Sequence, residues 1–178
     1  MISRRHMLSI LDLCLTPVAI IIAIIKGDKS IFTKISSRLR NLVWKRRLKS
    51  MGSGTYIYPH VIIHSPEKVS LGKNVIVNNF VHIWGGGEVE IGNDVMIAAH
   101  SVLTSITHDK YSRPYSSKNI LRKIVIEENV WICSSAVILP GVRVQKHSIV
   151  GAGAVVTEDV PENSIVVGVP ARDVTQTK

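Results

Sequence analysis

His108 stands beside Asp109 in the stretch TSITHDKYSRPYSSKNILRK, residues 104–123. An imidazole titrates near neutral pH, so it can take a proton from a hydroxyl while that oxygen forms a new bond. Asp109 could orient the ring, although adjacent side chains usually point apart, and backbone carbonyls could do the same work. Alone, a histidine in such a segment is more often a bystander. Two other residues invite a chemical reading. Asn78 offers an amide, either to cap a corner of the chain or to contact a substrate. Trp84 opens the segment WGGG; its face could stack on a sugar ring or pack at an edge. His60, His100 and His147 recur at equivalent outward positions, without metal-ligand spacing. No metal is expected. Cys14 and Cys133 form no metal or disulfide pattern, which suits a reducing compartment.

The elements that must position these residues are written in a repeat. From Ile126 the chain reads IEENVW ICSSAV ILPGVR VQKHSI VGAGAV VTEDV, with Ile or Val opening every block of six. The fifth positions are Val, Ala, Val, Ser, Ala and Val. Helical spacing would be three and four, and a simple strand alternates in twos. A period of six instead fits very short strands joined by corners, each sending one aliphatic inward, as in a parallel β-helix. Earlier block starts are Ile57, Ile63, Leu71, Val77, Ile83, Ile91, Ile97 and Leu103. Gly72, Gly92 and Gly151 follow block starts, where a corner favours a residue free of Cβ strain. The long break lies between Leu103 and Ile126. The body is rigid, so function should gather where it is interrupted.

The chain has 178 residues and a formal net charge of +9. Residues 1–55 hold eleven Lys and Arg against two Asp, whereas residues 56–178 hold eleven of each sign. A neutral body with a basic arm does not fit a nucleic-acid binder, and none is expected as partner. The division expected is an arm, 1–55, and a repeat body, 56–178, interrupted at 104–123. Within the arm, Leu8–Ile25 is apolar but carries Asp12 and Pro17, which oppose a full membrane crossing. Residues 31–48, IFTKISSRLRNLVWKRRL, place Ile31, Ile35, Leu39 and Leu42 near one helical face among basic residues. That pattern suits a helix lying on a membrane through residues 1–50, or one packed against the end of the body or a neighbouring subunit. A secretory leader is a weaker reading, because no small-x-small cleavage site follows the apolar run.

The segment NVWICSSAVILPGVRVQKHSIVGAGAVVTEDVPENSIVVGVPAR resembles the C-terminal half of the hexapeptide-repeat acyltransferases. The likeness extends over residues 57–174 and is nearest to the galactoside and maltose O-acetyltransferases and those of surface-polysaccharide assembly. The resemblance implies a mainly β fold: a left-handed parallel β-helix of triangular section, here with an N-terminal helical, basic, apolar arm. It implies a homotrimer with sites between subunits and acetyl-CoA as donor. His108 falls on the family's general base and Asn78 on its acceptor-site asparagine. Trp131 matches the tryptophan near the pantetheine channel. Ser134, Ala152 and Thr157 match coenzyme A contacts, and Arg172 an arginine near the nucleotide. Cys133 stands where the family commonly has Gly and reads as structural. His64 and Gly86 replace a serine and an aspartate used for the sugar, and Glu158 replaces a lysine at the coenzyme site. The basic arm stands where the maltose and galactoside enzymes have another N-terminal domain.

The activity this implies is O-acetylation of a sugar hydroxyl in cell-surface polysaccharide synthesis, at the cytoplasmic face of the plasma membrane. The alternatives are N-acetylation of an amino-sugar nucleotide, acetylation of serine or an antibiotic, or a non-enzymatic β-helix scaffold.

Overall fold

A period of six leaves room for strands of only two or three residues. The computed structural model, described over residues 29–175, has that form. A helix, α1 (Lys29–Arg47), leads into the first coil. That coil comprises β1 (Ser50–Met51), β2 (Tyr56–Ile57) and β3 (Ile62–His64). The second comprises β4 (Val69–Leu71), β5 (Ile76–Val77) and β6 (His82–Trp84), and the third β7 (Val89–Ile91), β8 (Met96–Ile97) and β9 (Val102–Thr104). A hairpin of β10 (Ile106–His108) and β11 (Asn119–Leu121) then leaves the stack. The fourth coil is β12 (Ile124–Ile126), β13 (Trp131–Ile132) and β14 (Val137–Ile138); the fifth is β15 (Arg143–Val144), β16 (Ile149–Val150) and β17 (Val155–Val156). β18 (Ile165–Val167) extends one side, and β19 (Arg172–Asp173) folds back on it antiparallel.

The first, second and third strands of successive coils pair in parallel register, forming sides A, B and C of a left-handed parallel β-helix. Every block-opening residue named above points inward and is at most 5% exposed, from Ile57 and Ile63 to Val150 and Val156. One coil cannot bury its inner face, so the core forms only as coils stack. The small fifth positions are also interior. Ser101 and Ser148 satisfy their buried hydroxyls by donating to corner carbonyls, Ser101 to Ala98 and Cys133, Ser148 to Gln145 and Pro161.

The glycines after the block starts have a different cause from the one expected. Their φ is not positive. A Cβ on Gly72 would stand 2.6 Å from the carbonyl carbon of Gly92, and one on Gly92 2.8 Å from that of Glu127. Stacked backbone, not corner strain, excludes a side chain at these two, and at Gly151 the Val167 side chain, 2.6 Å from an added Cβ, stands in the way. The left-handed corner positions belong instead to His60, Phe80 and His100 on one edge, and to Asn74, Asp94, Asn129, His147 and Asn163 on another. Asn, Asp and His are the residue types enriched in that conformation. The recurring histidines therefore mark corners, and His60, Phe80 and His100 stack ring on ring.

The longer intervals before Leu71, Ile91 and Ile126 all fall between sides C and A. A short 3-10 turn at Pro66–Lys68, the turn at Gly85–Glu88 and the β10–β11 hairpin occupy this corner on successive coils.

Two compact units divide the chain, Met1–Arg40 and Asn41–Lys178. In the second, Asn41 closes the open edge of the first coil. Its Oδ1 accepts from Ile57 N at 3.2 Å, and its Nδ2 donates to Thr55 O at 3.3 Å. Trp44 packs on the core and Leu48 is buried, while Leu42 and Val43 remain exposed. This half of the helix thus takes the packing reading for Trp44 and leaves an uncovered apolar strip beside Lys45, Arg46 and Arg47. Leu8–Ile25 and Cys14 lie outside the described residues. Among the described residues no helix is long and apolar enough to cross a membrane.

Candidate active site

The hairpin that carries His108 is tied down by one buried serine. Ser105 N donates to Trp84 O at 3.0 Å, and Ser105 Oγ donates to the same carbonyl at 2.6 Å while accepting from Gly87 N at 2.8 Å. Ser105 O in turn accepts from Arg122 N at 2.9 Å, where the second hairpin strand returns. WGGG is therefore the base on which the hairpin rests. Gly87 must be glycine, because a Cβ there would lie 2.3 Å from Ser105 O and 2.7 Å from Arg122 N.

On this base His108 pairs in register with Asn119 and is exposed. Its ring makes no hydrogen bond among the described residues, so its nitrogens are open to an incoming hydroxyl. Asp109 does not orient it. The Asp109 carboxylate accepts from Tyr111 N and from Lys118 Nζ, each at 3.0 Å. The Tyr111 amide, then Lys118, holds this carboxyl below the usual carboxylate range. Asp109 thus fastens the hairpin tip, and the backbone-adjacent carboxylate serves structure.

Trp84 lies on the outer face of side C, stacked on His64 at 4.1 Å between ring centroids and within 5 Å of His82. The Trp84 row continues in register to Thr104, next to Ser105. This His64–His82–Trp84 group was missed in the sequence. Its signal was present: two outward positions of one strand, two residues apart, and a third in register on the strand before. His82 Nε2 is buried without a hydrogen-bond partner among the described residues. Burial, then the nearby His64, pushes the His82 imidazole below its ordinary value and favours its neutral form.

Asn78 is placed apart from His108. It sits at the corner between sides B and C, where Nδ2 donates to Ile97 O at 3.0 Å. The hairpin leaves from the corner between C and A, so the width of side C separates the two within one chain. The corner-capping reading of Asn78 therefore holds, and its Oδ1 remains for another partner.

The residues matched to coenzyme contacts fall into two groups. Ser134 and Ala152 occupy the B–C corner on successive coils, linked through Gly153 N donating to Ser134 O at 2.9 Å. Trp131, 44% exposed, stands at the start of the same corner in register with Met96 and Ile149. Thr157 and Arg172 line one hollow of about 230 Å³ at the end of the stack, with Glu158 and Asp159. Ala171 N donates to Val155 O at 2.8 Å, which lays the VPAR tail along the open edge of β17, between the groups. Burial raises the Cys133 thiol above its ordinary value, which opposes a thiolate nucleophile there. No group of three His, Cys, Asp or Glu among the described residues is arranged to hold a metal ion.

Known proteins share this architecture. The family described as bacterial transferase hexapeptide (six repeats) matches residues 123–158. A galactoside acetyltransferase solved with coenzyme A is 31% identical, with a TM-score of 0.73 over 75% of this chain and 68% of that one. The Escherichia coli galactoside O-acetyltransferase is 31% identical over 75% of this chain and 66% of its own length. A putative lipopolysaccharide biosynthesis O-acetyl transferase of Escherichia coli is 38% identical over 56% of each chain. The chain thus spans less than two thirds of the length of these two curated relatives. With its stacked hexapeptide coils, its inserted hairpin and these relatives, the chain belongs to the hexapeptide-repeat acyltransferase family.

Proposed function

We propose that the protein transfers an acetyl group from acetyl-CoA to a hydroxyl of a sugar or glycan, in assembly of a cell-surface polysaccharide. The observation that carries this is His108: an imidazole without a hydrogen-bond partner among the described residues, held out on a hairpin whose base is locked. The acceptor hydroxyl would give its proton to the ring as its oxygen attacks the thioester carbonyl. Backbone N–H donors would stabilise the negative charge that develops on the carbonyl oxygen. Collapse would expel the coenzyme thiolate, which recovers the proton from the imidazolium. Transfer is direct, so the half-buried Cys133 has no part in it. Trp131, Ser134, Ala152, Thr157 and Arg172 are the proposed coenzyme contacts, with Asn78 and Trp84 for the acceptor. That galactoside and lipopolysaccharide O-acetyltransferases are among the relatives supports a sugar hydroxyl as the target.

The outer faces support a homotrimer. Side A carries Ser50, Ser70, Glu90, Val125 and Arg143, a mostly polar column. Side B carries Tyr56, Ile76, Met96, Trp131, Ile149 and Ile165, an apolar column suited to burial against another subunit. A neighbour could also bring its Asn78 corner to the hairpin, closing the separation seen within one chain. The exposed Leu42 and Val43 beside three cations support contact of residues 1–50 with an anionic membrane surface. Acetyl-CoA as donor places the body on the cytoplasmic side in this reading.

The test is thiol release from acetyl-CoA, with product mass, across nucleotide sugars and lipid-linked glycans. His108→Ala should lower turnover about a hundredfold or more and leave coenzyme affinity nearly intact. Unchanged turnover would remove His108 from the mechanism. A wild type that binds no coenzyme would favour the scaffold reading.

A further inference from the structure

The body's charge is not evenly spread. Residues 104–123 contain Lys110, Arg113, Lys118, Arg122 and Lys123 against Asp109 alone, a net of +4. The rest of residues 56–178 holds six basic and ten acidic residues, a net of −4. The positive charge of the body is thus gathered on the hairpin that carries His108.

Two of these cations are neutralised: Lys118 by Asp109 at 3.0 Å and Lys123 by Glu90 at 2.6 Å. Among the described residues, Lys110 and Arg113, nearest the tip, have no carboxylate partner. Each is instead held over an exposed tyrosine. Lys110 Nζ lies 5.0 Å from the Tyr111 ring centroid, and Arg113 Cζ 4.3 Å from that of Tyr115. One Arg113 nitrogen also donates to Lys110 O at 3.0 Å and Ser112 O at 2.8 Å. Ring faces and backbone oxygens order the guanidinium without cancelling its charge. Its remaining N–H groups stay available, in the planar fork that suits phosphate oxygens.

We infer that Lys110 and Arg113 form a receptor for the phosphate groups of the acceptor, so that the substrate is a phosphate-linked sugar rather than a free one. This deepens the acetyl-transfer reading and rests on it only for the word acceptor. The two cations stand two and five residues beyond His108, on the same hairpin. A diphosphate caught there would anchor its sugar close to the base and would contribute binding through a part of the molecule that does not react. A nucleoside diphosphate and a polyprenyl diphosphate offer this chemistry equally.

Binding measures the inference without turnover. The full chain, saturated with coenzyme A, is titrated calorimetrically at low ionic strength with inorganic pyrophosphate, UDP and detergent-solubilised farnesyl diphosphate. Pyrophosphate should bind saturably. The Lys110→Gln/Arg113→Gln pair should weaken it about tenfold or more, because charge-assisted hydrogen bonds are the strong ones in such a site. Coenzyme affinity, titrated first, should stay within about twofold, and Lys110→Arg, which keeps the charge, should bind pyrophosphate within about threefold of wild type. Tighter uptake of UDP than of pyrophosphate would name a nucleotide source, and tighter uptake of farnesyl diphosphate a lipid one; both would uphold the receptor. No pyrophosphate binding by the wild type would overturn it. So would unchanged binding in the double variant, or a matching loss of coenzyme affinity, which would assign the cations to the donor. A protein that binds pyrophosphate here but transfers no acetyl group would sink the transfer reading alone.

Discussion

Gly87→Ala tests whether the hairpin base sets the position of His108. The added Cβ would meet Ser105 O at 2.3 Å and Arg122 N at 2.7 Å, the two atoms whose hydrogen bond closes the hairpin. Both are backbone atoms, so no rotamer change can relieve the contact. Ordinary van der Waals contact begins near 3.4 Å, so the hairpin base must shift by roughly 1 Å. A misplacement of about 1 Å in a catalytic group costs on the order of a hundredfold in rate. Gly86→Ala is the matched control, since its Cβ would stand 3.6 Å from Leu121 Cδ2, a normal contact. The assay is thiol release from acetyl-CoA with the acceptor identified from the glycan panel. Amide exchange at Arg122 reports the base directly. Gly87→Ala should lose about a hundredfold in kcat with coenzyme affinity retained and faster exchange at Arg122, and Gly86→Ala should stay within about threefold. Full kcat in Gly87→Ala, or an equal fall in Gly86→Ala, would refute the idea that this turn positions the base. A melting curve close to wild type separates hairpin displacement from general unfolding.

Asn41→Ala should remove the side-chain hydrogen bonds to Ile57 N and Thr55 O at the open edge of the first coil. The cost should be about 1–3 kcal/mol, read as a lower Tm with unchanged kcat; an unchanged Tm would mean that water caps the edge equally well. His82 binds its proton less readily folded than unfolded, because burial and His64 oppose the charge. The unfolded chain therefore protonates first, and stability should fall as pH drops below about 6.5 toward the folded value. His82→Phe should flatten this part of the Tm–pH profile, and a slope identical to wild type would place the acid sensitivity elsewhere.

The block-opening part of the core was legible residue by residue, because a period of six returns the same inward position to every side of the coil. Side A adds a second inward position to its three-residue strands, filled by Val69, Val89 and Ile124, which the period does not single out. The hairpin was legible as a break in the same period. His108 was legible as a residue type in that break, but its role rested on resemblance, since a loop histidine by itself says little. The reason for the stacked glycines was not legible. Gly72 lacks a side chain because of Gly92 on the next coil, twenty residues away, and a local reading of corner strain gives the same letter for another cause. The ring group of His64, His82 and Trp84 escaped for a related reason, being assembled from two coils whose outward positions carry no obvious pattern.

Asp109 shows where the division falls. By sequence it is the nearest carboxylate to His108; in the folded hairpin it serves Tyr111 N and Lys118 instead. Asn78 and His108 share an expected site by sequence, yet side C stands between them in one chain. Periodicity alone determined the coil, its core and the place of its interruption, because inward burial at every sixth residue admits few other folds. Only the tertiary structure decided which atoms hold the hairpin, which charges remain uncancelled on it, and which side chains meet across coils. The contacts at the hairpin base and between coils join residues about twenty apart and follow from how the coils stack, whereas those at the hairpin tip, such as Lys118 with Asp109, follow from how the hairpin folds.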